Sequence, residues 1–238
     1  MDAVLEANQM KLVLFDIDGT LLDSGGAGGS ALNAAFLELF AIETAAEKPF
    51  AGIRMGGKTD PEIVMEALRK HGIEADGKMP LFMDFYIRHL KTHINNPKKR
   101  LKPGIKAALN ALSLMEGAAL GLLTGNIEEG ARIKLEPFGL NGYFPFGAFG
   151  SDSADRNSLL PIALERFNKK QTAAKLDPED CFVVGDTPRD VECAKLHGAR
   201  AIAVATGGYT VAQLLQTEAD HVLEDLGNTR LFLKCLGF

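Results

Sequence analysis

Lys11-Leu12-Val13-Leu14-Phe15-Asp16-Ile17-Asp18-Gly19-Thr20-Leu21-Leu22 is the stretch on which the reading of the chain turns. Leu12 to Phe15 and Ile17 carry no charge on either alternating face. That is the pattern of a strand buried on both sides, as in a parallel sheet covered by helices. The strand delivers two carboxylates, Asp16 and Asp18, at i and i+2 into a Gly-Thr turn. Like charges this close resist joint ionisation, so the pair calls for a cation between its members or a proton on one of them. Asp, Gly and Thr are also common turn residues, so a purely structural reading stays open on this stretch alone.

The rest of the chain alternates in the way such a strand requires. After the first strand, Asp23-Ser24-Gly25-Gly26-Ala27-Gly28-Gly29-Ser30 reads as a flexible polar hinge between two domains. No Gly-Lys-Ser/Thr follows it to make a phosphate-cradling loop. From Ala31 to about Arg100 the periodicity is helical: Leu32, Ala35, Phe36 and Leu39 share one face. A second helix opens at Thr59-Asp60-Pro61-Glu62 and stops at His71-Gly72, and a third runs from Pro80 to about His93. Leu101-Lys102-Pro103-Gly104 marks the return. Helices near 105–115, 128–136, 157–169, 189–197 and 210–217 then alternate with apolar strands at 118–124, 146–149, 181–185 and 201–205, and a short one near Val222. This order predicts a doubly wound (Rossmann-like) parallel sheet with right-handed crossovers and an all-helical insertion. Residues 1–22 and 101–238 form the α/β core and 23–100 the helical domain. Ligands bind such sheets beyond the carboxyl ends of the strands, where the polar clusters Asp16/Asp18, Thr124-Gly125-Asn126 and Asp186/Asp190 fall.

Those clusters carry a resemblance. The first stretch is similar to motif I of the haloacid dehalogenase superfamily, whose phosphotransferases place Asp-x-Asp-Gly-Thr after the first strand. The resemblance implies Asp16 as a nucleophile that forms an aspartyl-phosphate, and Asp18 as the general acid and base. Gly19 and Thr20 would lie against the phosphate. Thr124-Gly125-Asn126 matches motif II, in which the hydroxyl and nearby N–H groups hold phosphoryl oxygens. Gly185-Asp186-Thr187-Pro188-Arg189-Asp190 resembles motif IV. It implies Mg²⁺ held by the Asp16 side chain, the Asp18 carbonyl and Asp186, with Asp190 as a further ligand or a support. A helix opened by Pro188 could instead use one of these two aspartates as a cap. Motif III departs from the family: the usual Lys, often followed by Pro, is replaced by Asp155-Arg156-Asn157-Ser158. Arg156 is the candidate cation, able to clamp phosphate, with Lys134 and Lys175 as alternatives. The helical insertion resembles the cap of one branch of the superfamily.

The implied activity is Mg²⁺-dependent hydrolysis of a small phosphorylated metabolite, in the manner of the phosphoglycolate phosphatases. A haloacid dehalogenase would lack Asp18, having no leaving alcohol to protonate. A sugar phosphomutase of the β-phosphoglucomutase type would carry the Lys-Pro that is missing here, and a non-catalytic binder would have no need of every acidic position. Within the insertion, Arg54-Met55-Gly56-Gly57-Lys58-Thr59-Asp60 is a basic loop before a helix start, and Arg54 and Lys58 are candidates to reach an anionic substrate. His89 and His93 share a helix face with no third metal ligand and read as a surface pair. Lys98-Lys99-Arg100 reads as a solvated linker.

Composition sets the outer bounds. At 238 residues and a net charge of −5 the chain has no basic excess to suggest nucleic acid. Residues 1–10 lack a signal-peptide pattern, and nothing approaches the ~20 consecutive apolar residues of a membrane span. Cys181, Cys193 and Cys235 have no metal-binding or paired spacing, which favours reduced thiols in the cytoplasm. Nothing in the sequence speaks to oligomeric state.

Overall fold

The structure, a computed structural model, describes residues 10–41, 48–170 and 175–238. Residues 1–9, read above for a leader, and 42–47, inside the segment read as helical, lie outside the described residues. The strands are β1 (Lys11–Phe15), β2 (Leu22–Asp23), β3 (Arg100–Leu101), β4 (Ala118–Thr124), β5 (Gly147–Phe149), β6 (Cys181–Gly185), β7 (Arg200–Val204) and β8 (His221–Leu223). The α-helices are α1 (Ala27–Leu39), α2 (Asp60–Lys70), α3 (Met79–His93), α4 (Ile105–Ser113), α5 (Glu128–Leu135), α6 (Leu159–Lys170), α7 (Pro188–Leu196), α8 (Val211–Leu214) and α9 (Thr229–Cys235).

Six strands form one sheet in the order β5-β4-β1-β6-β7-β8, and every pairing in it is parallel. The alternation of β1 explains why it sits near the middle. Leu12 and Leu14 pack with Val183, Ala201 and Ala203 beneath α6, α7 and α8. Val13 and Phe15 pack on the other face with Leu122, Phe182 and Val184 beneath α4, α5 and α9. All four β1 side chains are fully buried, so a polar residue at any of them would lose its hydration without a partner. From β1 the chain runs outward through β4 to β5, then returns to lay β6 against the other side of β1. The carboxyl ends of β1 and β6 thus flank the point where the strand order reverses, the crevice in which sheets of this kind hold ligands.

The helices α1, α2 and α3 share a third apolar cluster built on Ala31, Phe36, Val64, Phe82, Tyr86 and Leu90. The chain leaves the sheet and returns to it at adjacent places. The antiparallel pair β2–β3 joins Leu22 to Leu101 and Asp23 to Arg100, and the Asn96 amide donates to the Ser24 carbonyl at 3.0 Å. Helix α2 begins as expected: Thr59 is the N-cap, its hydroxyl accepts from the Glu62 N–H at 3.2 Å, and Pro61 follows in the first turn. The Gly-rich stretch differs from its expected role as a loose hinge. Gly25 and Gly26 take positive φ of 66° and 82°, and α1 starts at Ala27, so Gly28 and Gly29 lie in its first turn. Among the described residues no helix is long and apolar enough to cross a membrane.

Candidate active site

Asp16 follows the last residue of β1, and its N–H still donates to the Val184 carbonyl of β6 at 3.0 Å. The chain then turns sharply: the N–H groups of Thr20, Leu21 and Leu22 all point to the Ile17 carbonyl. Gly19 makes this possible with φ of +91°, and a side chain there would also stand 2.5 Å from an Asp186 carboxylate oxygen. Thr20 donates its hydroxyl to Asp186 Oδ1 at 3.1 Å. Gly207, in the loop after β7, leaves room for the same carboxylate, since a Cβ there would meet Asp186 Oδ2 at 1.7 Å.

Asp16, Asp186 and Asp190 are all buried, and each offers an oxygen within 4.8 Å of the others. Arg156, itself buried, reaches them from the short helical turn before α6. Its Nη2 donates to Asp16 Oδ1 at 3.1 Å and pairs with Asp190 Oδ1, while its buried Nε has no partner among the described residues. One cation against three carboxylates leaves the cluster short of positive charge. Burial pushes the Asp186 carboxyl up to about 8, with the Asp190 and Asp16 charges adding to it. Burial likewise pushes Asp16 up to about 6, although Arg156 pulls it back and the Thr124 hydroxyl donates to it. An all-oxygen, charge-deficient triad of this kind fits a hard divalent cation such as Mg²⁺.

Asp190 is a partial exception to its expected role as a metal ligand. Its Oδ2 accepts from the Thr187 N–H at 2.9 Å and the Thr187 hydroxyl at 2.7 Å, closing a capping box at the start of α7, and its Oδ1 takes Arg156. Both oxygens are committed, so Asp190 holds Arg156 and the loop in place.

Asp18 faces a different cation. Its Oδ2 accepts from Lys134 Nζ at 2.6 Å and from the Asn126 amide at 2.9 Å. Lys134 also donates to Asn126 Oδ1 at 2.5 Å, and Asn126 donates back to the Thr124 hydroxyl at 2.9 Å. Lys134 had been weighed only as a substitute for Arg156, yet the two serve different carboxylates. Lys175 is exposed and lies with neither. A sign of Lys134 was available: it falls on the buried stripe Gly130, Ala131, Lys134 and Leu135 of α5, where a lone lysine needs a partner.

These groups line a cavity of about 190 Å³ between the sheet's edge and α1–α3. Asp16, Asp18, Asn126, Lys134 and Arg156 form its sheet side, and Gly28, Lys58, Asp60 and Tyr86 lie on the helical side. Larger surface depressions of about 630 and 690 Å³ lie elsewhere and share no residue with the acidic cluster. Of the two basic loop candidates, Lys58 lines the cavity but its ammonium pairs with Glu66. Arg54 is exposed and is not part of the lining. His89 pairs with Glu38 at 2.7 Å.

The helical segment is latched to the sheet by backbone contacts. Asp60 N–H donates to the Gly125 carbonyl at 2.7 Å, and Asp60 Oδ2 accepts from Ile127 N–H at 2.9 Å. Gly125 is bare because a Cβ there would strike the Lys58 carbonyl at 2.1 Å. Asp60 is buried, and desolvation raises its carboxyl from 3.8 to about 6 against the pull of Lys134. The unfolded chain therefore releases this proton near pH 4 while the native state keeps it until about 6. Stability from this group is fully present below pH 4 and is lost as pH rises through 6, on the order of 3 kcal/mol in all. Asp60→Asn keeps an acceptor for Ile127 and cannot titrate. Its stability relative to the wild type should therefore climb between pH 4 and 7 in urea melts, and a pH-independent difference would remove this assignment.

The geometry agrees with what the chain is similar to. The family model described as "Haloacid dehalogenase-like hydrolase" matches residues 13–204, and the chain belongs to that family. It is 29% identical over 230 residues to phosphoglycolate phosphatase 1 of Pseudomonas aeruginosa, covering 94% of this chain and 79% of that protein. It is 30% identical over 218 residues to a phosphoglycolate phosphatase of Agrobacterium fabrum, covering 90% and 88%. Among solved structures, CbbY of Rhodobacter sphaeroides, crystallised with phosphate, superposes with a TM-score of 0.71 at 20% identity over 97% of this chain and 100% of that one. That last likeness speaks to the fold.

Proposed function

We propose that this hydrolase cleaves a small phosphate monoester, of the phosphoglycolate kind, through an aspartyl-phosphate on Asp16. The observation that carries the reading is the placement of Asp16 in a small cavity, between Arg156 at 3.1 Å on one side and Asp18 with its own lysine on the other. Two carboxylates at one strand end with separate cationic partners suit two different tasks. The names of the curated relatives support the same substrate class.

Asp16 attacks phosphorus and the ester oxygen leaves. Asp18 hands a proton to that oxygen, and then takes one from the water that opens the aspartyl-phosphate. Thr124, the N–H groups around Gly125 and Asn126, and the unpartnered Nε of Arg156 donate to the phosphoryl oxygens, where charge stabilisation does most of the work in this chemistry. The Asp16 and Asp186 carboxylates and the Asp18 carbonyl are the groups that would hold Mg²⁺, with Gly19 and Thr20 shaping the turn beside it. The ion would supply positive charge to the acidic cluster and to the phosphoryl group. The segment 23–100 acts as a cap that excludes water and sets the size of the substrate, and residues 1–22 and 101–238 carry the chemistry.

Purified protein should release phosphate from short-chain phosphate monoesters with Mg²⁺, lose that activity in EDTA, and regain it on adding Mg²⁺ back. Turnover that persists at full rate in EDTA would remove the metal from this account. Rapid quench with labelled substrate should trap one acid-stable, base-labile phosphoryl group per chain, and its absence would remove the covalent intermediate.

A further inference from the structure

The cavity contains hydrogen-bonding capacity that the phosphoryl chemistry leaves unused. Tyr86 of α3 is fully buried, lines the cavity, and its hydroxyl has no partner among the described residues. A buried hydroxyl is costly to leave unpaired, so an orphan of this kind wants an explanation. Lys134 has three N–H donors, and the bonds given for it use two, to Asp18 and Asn126. Both groups face one patch of bare helix. A Cβ added to Gly28 would stand 3.2 Å from Lys134 Nζ and 3.9 Å from the Tyr86 hydroxyl, so the absent side chain keeps that space open. Asp18, whose carboxylate Lys134 holds, is the group that would serve the leaving oxygen, so the open space lies on the leaving-group side.

Resting on the phosphatase reading above, we infer that the Tyr86 hydroxyl and the third N–H of Lys134 form a leaving-group subsite for a carboxylate, making the substrate a phosphate ester of a short hydroxy acid. Two donors, one of them cationic, converge on the space. A carboxylate accepts from both and brings no proton that must itself be placed. A neutral alcohol would take one bond and add a donor beside an ammonium. The cavity's volume of about 190 Å³ must also hold the phosphoryl group, which restricts the acid to a short chain. Asp60 and Asp18 already balance the Lys134 charge, so the subsite selects by directed hydrogen bonds to the acid.

The test compares 2-phosphoglycolate with ethyl phosphate, which has the same carbon count and no carboxylate, on wild type and Tyr86→Phe at saturating Mg²⁺. The wild type should prefer the acid in kcat/KM by ~10-fold or more, the scale of one hydrogen bond to a charged group. Tyr86→Phe should raise KM for 2-phosphoglycolate by ~10-fold with kcat largely kept, and leave ethyl phosphate within about twofold. Its thermal midpoint without ligand should equal or exceed that of the wild type, because the unpaired hydroxyl is gone. Equal losses on both esters, or no loss on either, would overturn the subsite. If the wild type hydrolyses neither ester, the phosphatase reading fails, and glycolate still decides the subsite: it should raise the melting temperature of the wild type and leave that of Tyr86→Phe unmoved.

Discussion

Asp16→Asn should reduce turnover by on the order of 10⁴-fold or more, as expected when a covalent nucleophile is removed from a preorganised site. The loss should come without unfolding. Asn keeps an oxygen to accept from Arg156, which sits 3.1 Å from Asp16 Oδ1, and it fills the same buried volume. In the metal-free protein the variant should be at least as stable as the wild type at pH 7.5. The reason is the sign of the wild-type titration: burial lifts the Asp16 carboxyl from 3.8 to about 6, so folding at higher pH places an unwelcome charge in the cluster, and stability from this group is lost as pH rises through 6. Asn removes that penalty. Mg²⁺ should reverse the ranking, raising the melting temperature of the wild type more than that of the variant, because the ion loses one of its carboxylates. Calorimetry with and without Mg²⁺, beside single-turnover kinetics, reads both halves. A variant that kept more than about a hundredth of wild-type turnover would transfer the nucleophile's role elsewhere.

Much of this site could be read from the sequence because its carboxylates sit where apolar strands end. Asp16 after Leu12–Phe15 and Asp186 after Cys181–Gly185 announce themselves by contrast with the runs they close. Arg156 was visible as a lone cation before a helix. Other features depend on which way a side chain faces after folding. Thr187-x-x-Asp190 has the spacing of a capping box as well as of a ligand pair, and the structure uses both Asp190 oxygens elsewhere. Tyr86 reads as core because its ring is core, and nothing in its spacing reveals an unpartnered hydroxyl. The glycines of 25–29 signal backbone freedom. That Gly28 instead leaves room beside Lys134 is a fact of tertiary packing. Strands of two residues such as β2 and β3 are too short to show alternation, and α9 was not anticipated although Asn228 caps it, accepting from the Leu231 N–H at 3.0 Å.

Arg156→Met should cost on the order of 3–5 kcal/mol of stability, the range for breaking a buried ion pair by removing one partner. Met matches the length of the aliphatic stem but leaves Asp16 and Asp190, which are 6% and 2% exposed, without the cation that touches both. Only a proton or a metal ion can then relieve the cluster. The sign follows directly: with Arg156 absent the Asp16 carboxyl rises further above 3.8 than it does in the wild type, so the variant recovers stability as pH falls and loses it as pH rises. Its deficit against the wild type should therefore be larger at pH 8 than at pH 5. Activity should fall by ~10³-fold or more, the scale of an arginine that stabilises phosphoryl charge. Packing and charge can be separated by a second change. Arg156→Met with Asp190→Asn removes one stranded carboxylate and keeps an acceptor for Thr187, so it should regain a good part of the lost stability while activity stays low. Arg156→Lys should recover stability as well, yet a single ammonium cannot span Asp16 and Asp190 as the fork does, so its turnover should lie between the two. If Arg156→Met melts within about 1 kcal/mol of the wild type at pH 8, the arginine is not what holds these aspartates together.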